Sequence, residues 1–289
     1  MKNLLKAIGF LLLVMTVYFL ANMIPGLIIG MIVAFQNVEA MSNAVDANAL
    51  MTKAIAPYSL HIMIFAALTT LVMICLFFLG RKDRFLTYIK LRQLKLKDGL
   101  YIALLGIFLN LLFIALLNYA ALYLPIESLM SQYSDLMTLA FDANFFIVLL
   151  AVVVIAPIFE EVLIRGVIFN DFRKACPTWF ALIIQALIFG LMHMNIIQGT
   201  YAFFLGLILG LLYLSYHSIL AAILLHMTFN LTSTLLSSFM PSSDAHMGII
   251  FIIGLLGSGT IAWLLHRQYD PKNYLESTME VSPSFLQNQ

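Results

Sequence analysis

The sequence is short of charge. Only 10% of its 289 residues are Asp, Glu, Lys or Arg, whereas a soluble domain carries about 25%. Hydrophobic residues make up 63% of the chain, and a water-facing surface cannot be built from so few polar groups. The excess apolar area must therefore face lipid. This combination excludes an ordinary soluble domain and predicts an integral membrane protein.

Cysteine and long runs of like charge are also scarce. The only two cysteines, Cys75 and Cys176, lie in or beside apolar stretches, so we expect free thiols and no disulfide framework. The absence of a long basic or acidic run argues against nucleic acid as a partner. The G-x-S-x-G and H-E-x-x-H motifs are missing as well, so two common hydrolase signatures are excluded.

Apolar stretches long enough to cross a bilayer recur along the whole chain. A crossing needs about 20 apolar residues, and each must be a helix because lipid offers the backbone no hydrogen-bond partner. We therefore predict an all-α fold, a polytopic membrane helix bundle of about eight transmembrane helices, at residues 5–35, 58–80, 99–124, 145–172, 178–197, 200–216, 218–239 and 247–266.

Lysine and arginine gather in alternate loops of this arrangement. All of them except Lys53 and the intrahelical Arg165 fall on one side of the membrane if eight helices are present. Because basic loops stay in the cytoplasm, both termini are predicted to be cytoplasmic. We expect the protein to lie in a bacterial cytoplasmic membrane.

Ionisable side chains inside apolar helices are costly and are functional candidates by default. Glu161 and Arg165 are four residues apart, so they share a helix face and are expected to pair. Glu160 points about 100° away from Glu161 around the same helix. His193 belongs to the following helix, at a similar distance from the intervening turn. The six candidate residues are Glu160, Glu161, Arg165, His193, His226 and Asn230.

Such a cluster is suited to hydrolysis by an activated water molecule. A carboxylate shielded from bulk water can act as a general base, and a histidine can hold the attacking water. His226 and Asn230 are four residues apart and can aim at one point. Together they can donate hydrogen bonds to the oxyanion of a tetrahedral intermediate.

The motifs resemble those of the CAAX-protease and bacteriocin-processing family of intramembrane proteases, which includes the type II CAAX prenyl endopeptidase. The family pattern is E-E-x-x-x-R, then F-x-x-x-H, then H-x-x-x-[ND]. It is matched here, in order, by Glu160-Glu161…Arg165, Phe189…His193 and His226…Asn230. The resemblance covers about residues 145–235. It divides the chain into N-terminal helices and loops at 1–144, a catalytic core at 145–240, and a last helix with a polar tail at 241–289.

The resemblance implies an endopeptidase that cleaves a membrane-associated protein or peptide, with the bilayer as its other partner. Glu160 would activate water with help from His193, His226 and Asn230 would form the oxyanion hole, and Glu161 with Arg165 would support the site. We expect a cavity reached from the cytoplasm. The oligomeric state is left open.

Metal dependence is also left open by the sequence. No cofactor is assigned with certainty, but two histidines and a glutamate are also a plausible set of ligands for zinc or another divalent metal. Two other functions are considered. One is a non-catalytic immunity or scaffold protein that keeps the polar cluster for structure. The other is a proton-coupled transporter, for which an inverted repeat is expected in both halves; the polar residues instead concentrate in one half.

Overall fold

The computed structural model describes residues 2–38, 44–80, 84–141, 143–239 and 247–268, and every regular element among them is helical. The polar tail predicted after the last helix lies outside the described residues. The helices are α1 (Lys2–Gln36), α2 (Ala44–Ile55), α3 (Ser59–Leu79), α4 (Phe85–Tyr88), α5 (Leu96–Tyr123), α6 (Glu127–Phe141), α7 (Phe145–Arg173), α8 (Thr178–Met192), α9 (Ile196–Tyr216), α10 (Ile219–Phe239) and α11 (Met247–Gln268).

Seven of these helices are long and apolar enough to cross a membrane. They are α1, α3 extended backwards to Ala49, α5, α7, α9, α10 and α11. The prediction of an all-helical, polytopic bundle is confirmed. The chain is an integral membrane protein.

The predicted span 178–197 differs from the structure, where α8 has 15 residues. That length is about 22 Å, less than the roughly 30 Å of a hydrocarbon core. His193 is the C-cap of this helix. The helix ends there because the next residue, Met194, adopts a left-handed φ of 53°. Asn195 then caps α9, accepting a hydrogen bond from the Gln198 amide at 3.0 Å. His193 therefore lies at a helix end and not inside a span.

Close helix packing holds α8 against α9 beside this turn. A Cβ added to Gly190 would lie 2.6 Å from the carbonyl oxygen of Gly199, and one added to Gly206 would lie 3.1 Å from Ala186 Cα. The contact at Gly190 leaves no room for a Cβ, and at Gly206 the neighbouring backbone would have to give way slightly. Glycine at these positions lets the two backbones approach each other, as small residues do between membrane helices.

One end of the bundle gathers the basic loops, and we call it the basic end. The Ile219 amide donates to Lys90 O at 3.0 Å, and the Ser218 hydroxyl donates to Arg92 O. Asn170 Nδ2 donates to Tyr88 O at 2.9 Å. The segment 84–95, the end of α7 and the turn between α9 and α10 are therefore in contact.

The chain ends of the bundle reach the same region. Lys6, near the start of α1, lines a surface cavity together with Lys174. His266, near the end of α11, lines another with Arg92 and Lys95. We call the opposite end the α6 end, since α6 lies there: Tyr133 of α6 contacts Tyr201, near the start of α9, with ring centroids 6.4 Å apart.

Candidate active site

Helix α7 carries the first three candidate residues in an unusual helical register. It is π-helical over Leu149–Ile155, α-helical over Ala156–Glu161 and π-helical again over Val162–Phe169. π-helical turns are rare and are frequent at functional sites. The short α-helical segment between them ends with the two glutamates.

Glu161 and Arg165 form a fully buried ion pair. Arg165 Nη1 donates to Glu161 Oε1 at 2.9 Å, and both side chains are 0% exposed. The guanidinium also donates from Nη2 to Gly206 O at 3.1 Å and lies 4.4 Å from the centre of the Phe189 ring. The pairing predicted from the spacing is confirmed, and the arginine also binds α7 to α9.

His226 connects the two glutamates across the helix interface. Its Nδ1 lies 2.8 Å from Glu161 Oε1, and its Nε2 lies 3.7 Å from Glu160 Oε2. Since a carboxylate oxygen paired with arginine accepts hydrogen bonds, Nδ1 is the donor to Glu161. This bond fixes the ring and turns Nε2 toward Glu160.

Glu160 and Glu161 occupy different environments although they are neighbours in the chain. The Glu160 side chain is 18% exposed, against 0% for Glu161. Glu160 lines a cavity of about 290 Å³ whose walls also include His193, His226 and Asn230. The structure therefore brings four predicted residues to one cavity, while Glu161 and Arg165 lie behind it.

His193 is held at the cavity wall by its own helix end. Its Nδ1 lies 2.9 Å from Phe189 O, so Nδ1–H donates to this carbonyl and Nε2 is left as an acceptor. The edge-to-face contacts of Phe189 reach both imidazoles, with centroids 5.1 Å from His193 and 5.6 Å from His226. Phe189 therefore positions the two histidines relative to each other.

Asn230 has a structural partner that its spacing did not reveal. Its Nδ2 donates to Val152 O at 2.9 Å. In the π register the amide of Ala156 donates to Ala151 O, and the next residue, Pro157, has no N–H to give. The helix therefore leaves Val152 O without a backbone donor, and Asn230 supplies one while lining the cavity.

Sequence reasoning missed four residues of this region. Gln185 is fully buried, and its Nε2 donates to Gly206 O at 2.9 Å, beside the Arg165 bond. Tyr18 of α1, Tyr133 and Tyr201 form part of the cavity wall. The sequence signal that could have found them is a single polar residue within an apolar run. This signal is clearest for Gln185.

The side chains at the site do not fit a zinc ion. Within the described parts of the chain, no three His, Cys, Asp or Glu side chains are grouped so as to hold a metal. The charge of Glu161 is already directed at Arg165 and His226. A zinc site requires three or four converging ligands.

This arrangement defines an integral membrane protein in which one of two adjacent glutamates lines a cavity between the helices and the other is buried behind it. Residues 142–232 match the family described as type II CAAX prenyl endopeptidase Rce1-like. The resemblance inferred from the motifs is confirmed over this segment, which is of the Rce1-like type and contains all six candidate residues. Neither the curated proteins nor the solved structures compared with the chain gave a match. The family is a protease family, which supports peptidase activity.

Proposed function

We propose that the protein is an intramembrane endopeptidase in which Glu160 activates a water molecule to cleave a peptide bond of a membrane-associated protein or peptide. The observation that carries this proposal is the unequal placement of the two glutamates. Glu160 faces a cavity, whereas Glu161 is buried and bound to Arg165 and His226. One carboxylate is thereby left available for chemistry.

The charges of the cluster support this assignment. Glu161 and Arg165 neutralise each other. The net charge of the site is therefore zero if Glu160 is ionised and His226 carries both ring protons. His226 would then donate from Nδ1 to Glu161 and present Nε2–H at the cavity. Buried charges are tolerated only when they are paired in this way.

The reaction follows from these positions. Glu160 accepts a proton from a water molecule that also donates a hydrogen bond to His193 Nε2, and the water oxygen attacks the carbonyl carbon. The negative charge moves from Glu160 to the carbonyl oxygen, which accepts hydrogen bonds from His226 Nε2 and from the second Asn230 Nδ2 hydrogen. Glu160 then gives its proton to the amide nitrogen, the carbonyl re-forms as the C–N bond breaks, and a carboxylic acid and an amine are released. Transfer of the acid proton to the amine gives the carboxylate and ammonium products.

A peptide-cleavage assay tests this proposal. The purified protein is offered a mixed peptide library in detergent, and new termini are counted for the wild type, Glu160→Gln and His193→Ala. Hydrolysis by the wild type and a loss of about 10²-fold or more in Glu160→Gln are expected, since general acid–base catalysis contributes that much. Equal turnover by the wild type and Glu160→Gln would reject the mechanism.

The assay also separates the enzyme from the non-catalytic alternatives. A substitution of Asp135, an exposed residue of α6, by Asn serves as a matched carboxylate-to-amide control and is expected to retain activity. A wild-type protein that binds peptides from the library without cleaving any of them would favour an immunity or scaffold function.

A further inference from the structure

The cavity lies in one half of the bundle. On α9 its wall begins at Gln198, two residues after the helix start, and ends at Leu205. On α10 it runs from His226, near the middle of the helix, to Thr234, which lies farther from the turn at the basic end. Tyr133 and Met137 of α6 complete the wall. None of its lining residues belongs to the basic end.

The other half of the bundle is closed behind the glutamates. Every residue from Val162 to Phe169 on α7 is buried, and the bonds from Arg165 and Gln185 to Gly206 tie α7, α8 and α9 together at this level. A peptide approaching from the basic end would have to displace this packed layer. The passage to Glu160 therefore runs from the α6 end.

Charge determines which end faces the cytoplasm. The basic end carries Lys6, Lys90, Arg92, Lys95 and Lys174, and Lys53 is the one loop cation that the sequence assigns to the opposite side. The α6 side instead carries acidic residues such as Glu127 and Asp135. Because loops rich in lysine and arginine are retained in the cytoplasm, the α6 end is directed to the opposite side.

We infer that the cavity takes its substrate from the non-cytoplasmic side of the membrane. The substrate class is then a membrane protein or peptide whose scissile bond lies in the outer half of the bilayer or just outside it. Leu60, Met63 and Met137 on the cavity wall favour apolar residues around that bond. The inference rests on the proposed function for its use of the cavity, and it reverses the cytoplasmic access expected from the sequence.

Thiol labelling in intact cells tests the side of access independently of catalysis. Cys75 and Cys176 are first replaced by alanine. Single cysteines are then introduced as Ser233→Cys on the cavity wall, Asp135→Cys on the surface of α6 and Lys95→Cys at the basic end. A membrane-impermeant maleimide is applied before and after the cells are permeabilised.

Labelling of Asp135→Cys and Ser233→Cys in intact cells is expected, with Lys95→Cys labelled only after permeabilisation. The reverse pattern would overturn the inference. So would labelling of Ser233→Cys only after permeabilisation while Asp135→Cys reacts in intact cells, since the cavity would then open to the basic end.

The peptide-cleavage assay distinguishes a failure of this inference from a failure of the proposed function. Labelling from outside with no hydrolysis by the wild type would contradict the peptidase and leave the side of access established. Hydrolysis that depends on Glu160, combined with labelling from the cytoplasmic side, would contradict the inference alone.

Discussion

At the scale of single residues, the site separates two adjacent carboxylates by their partners. Glu161 Oε1 accepts hydrogen bonds from both Arg165 and His226 and is out of contact with water. Glu160 instead approaches His226 Nε2 at 3.7 Å, which exceeds a direct hydrogen bond. The same side-chain type is thus a structural anion at one position and, under the proposed mechanism, a reactive group at the next.

The buried ion pair predicts a stability effect that is separate from activity. Arg165→Met leaves the Glu161 carboxylate without its cation, and breaking a buried pair on one side costs about 3–5 kcal/mol. Thermal unfolding in detergent is expected to show a clear drop in melting temperature.

The matched control removes both charges. The double variant Glu161→Gln with Arg165→Met leaves no uncompensated charge, so it is expected to be more stable than Arg165→Met alone. A double variant that melts as low as the single one would show that the pair does not act as a unit.

Metal dependence is a second prediction at this scale. Because no three potential metal ligands converge among the residues that the structure describes, we expect hydrolysis to continue after treatment with a chelator. Turnover measured with EDTA, and again after zinc is added back, provides the check. Activity that is lost with EDTA and restored by zinc would show that a metal takes part.

At the scale of the element, the contact of α7 with α10 depends on the π-helical register of α7. Pro157 removes the amide that would bond to Val152 O, and Asn230 of α10 supplies the missing donor. This bond ties the two helices together at the depth of the site. Asn230 is therefore a structural residue and, under the proposed mechanism, an oxyanion donor as well.

These two roles of Asn230 predict different responses to a second substitution. Asn230→Ala leaves a buried carbonyl unpaired, which costs about 1–3 kcal/mol. Adding Pro157→Ala restores a backbone N–H that can donate to Val152 O. Stability is then expected to recover while hydrolysis stays low, because the oxyanion donor is still missing. Recovery of both in the double variant would reduce Asn230 to its structural role.

At the scale of the whole molecule, the sequence predicted the parts of the site that depend on one helix. The four-residue spacing of Glu161 and Arg165 predicted their contact, and the apolar runs predicted most spans within a few residues. The hydrogen bond between Glu161 and His226 depends on how α7 and α10 pack, and spacing within one helix does not determine that packing.

The remaining differences have local causes. α8 ends early because Met194 is left-handed and Asn195 caps the next helix, a short signal inside an apolar stretch. The hydrogen bond from Asn230 to Val152 O depends on a π-helical register, which an apolar run with one proline does not predict. The end of the bundle toward which the cavity opens could be determined only from the contacts at both ends. The alternation of basic loops indicates only which end lies in the cytoplasm.

The most direct test of the account is a paired measurement of turnover and melting temperature for Glu160→Gln and Glu161→Gln. Glu160→Gln is expected to lose hydrolysis and to melt near the wild-type temperature, because its side chain faces a cavity. Glu161→Gln is expected to melt lower, because Arg165 is left as a buried, unpaired cation. Full hydrolysis by Glu160→Gln, or a large drop in its melting temperature with none in Glu161→Gln, would contradict the assignment of the two glutamates.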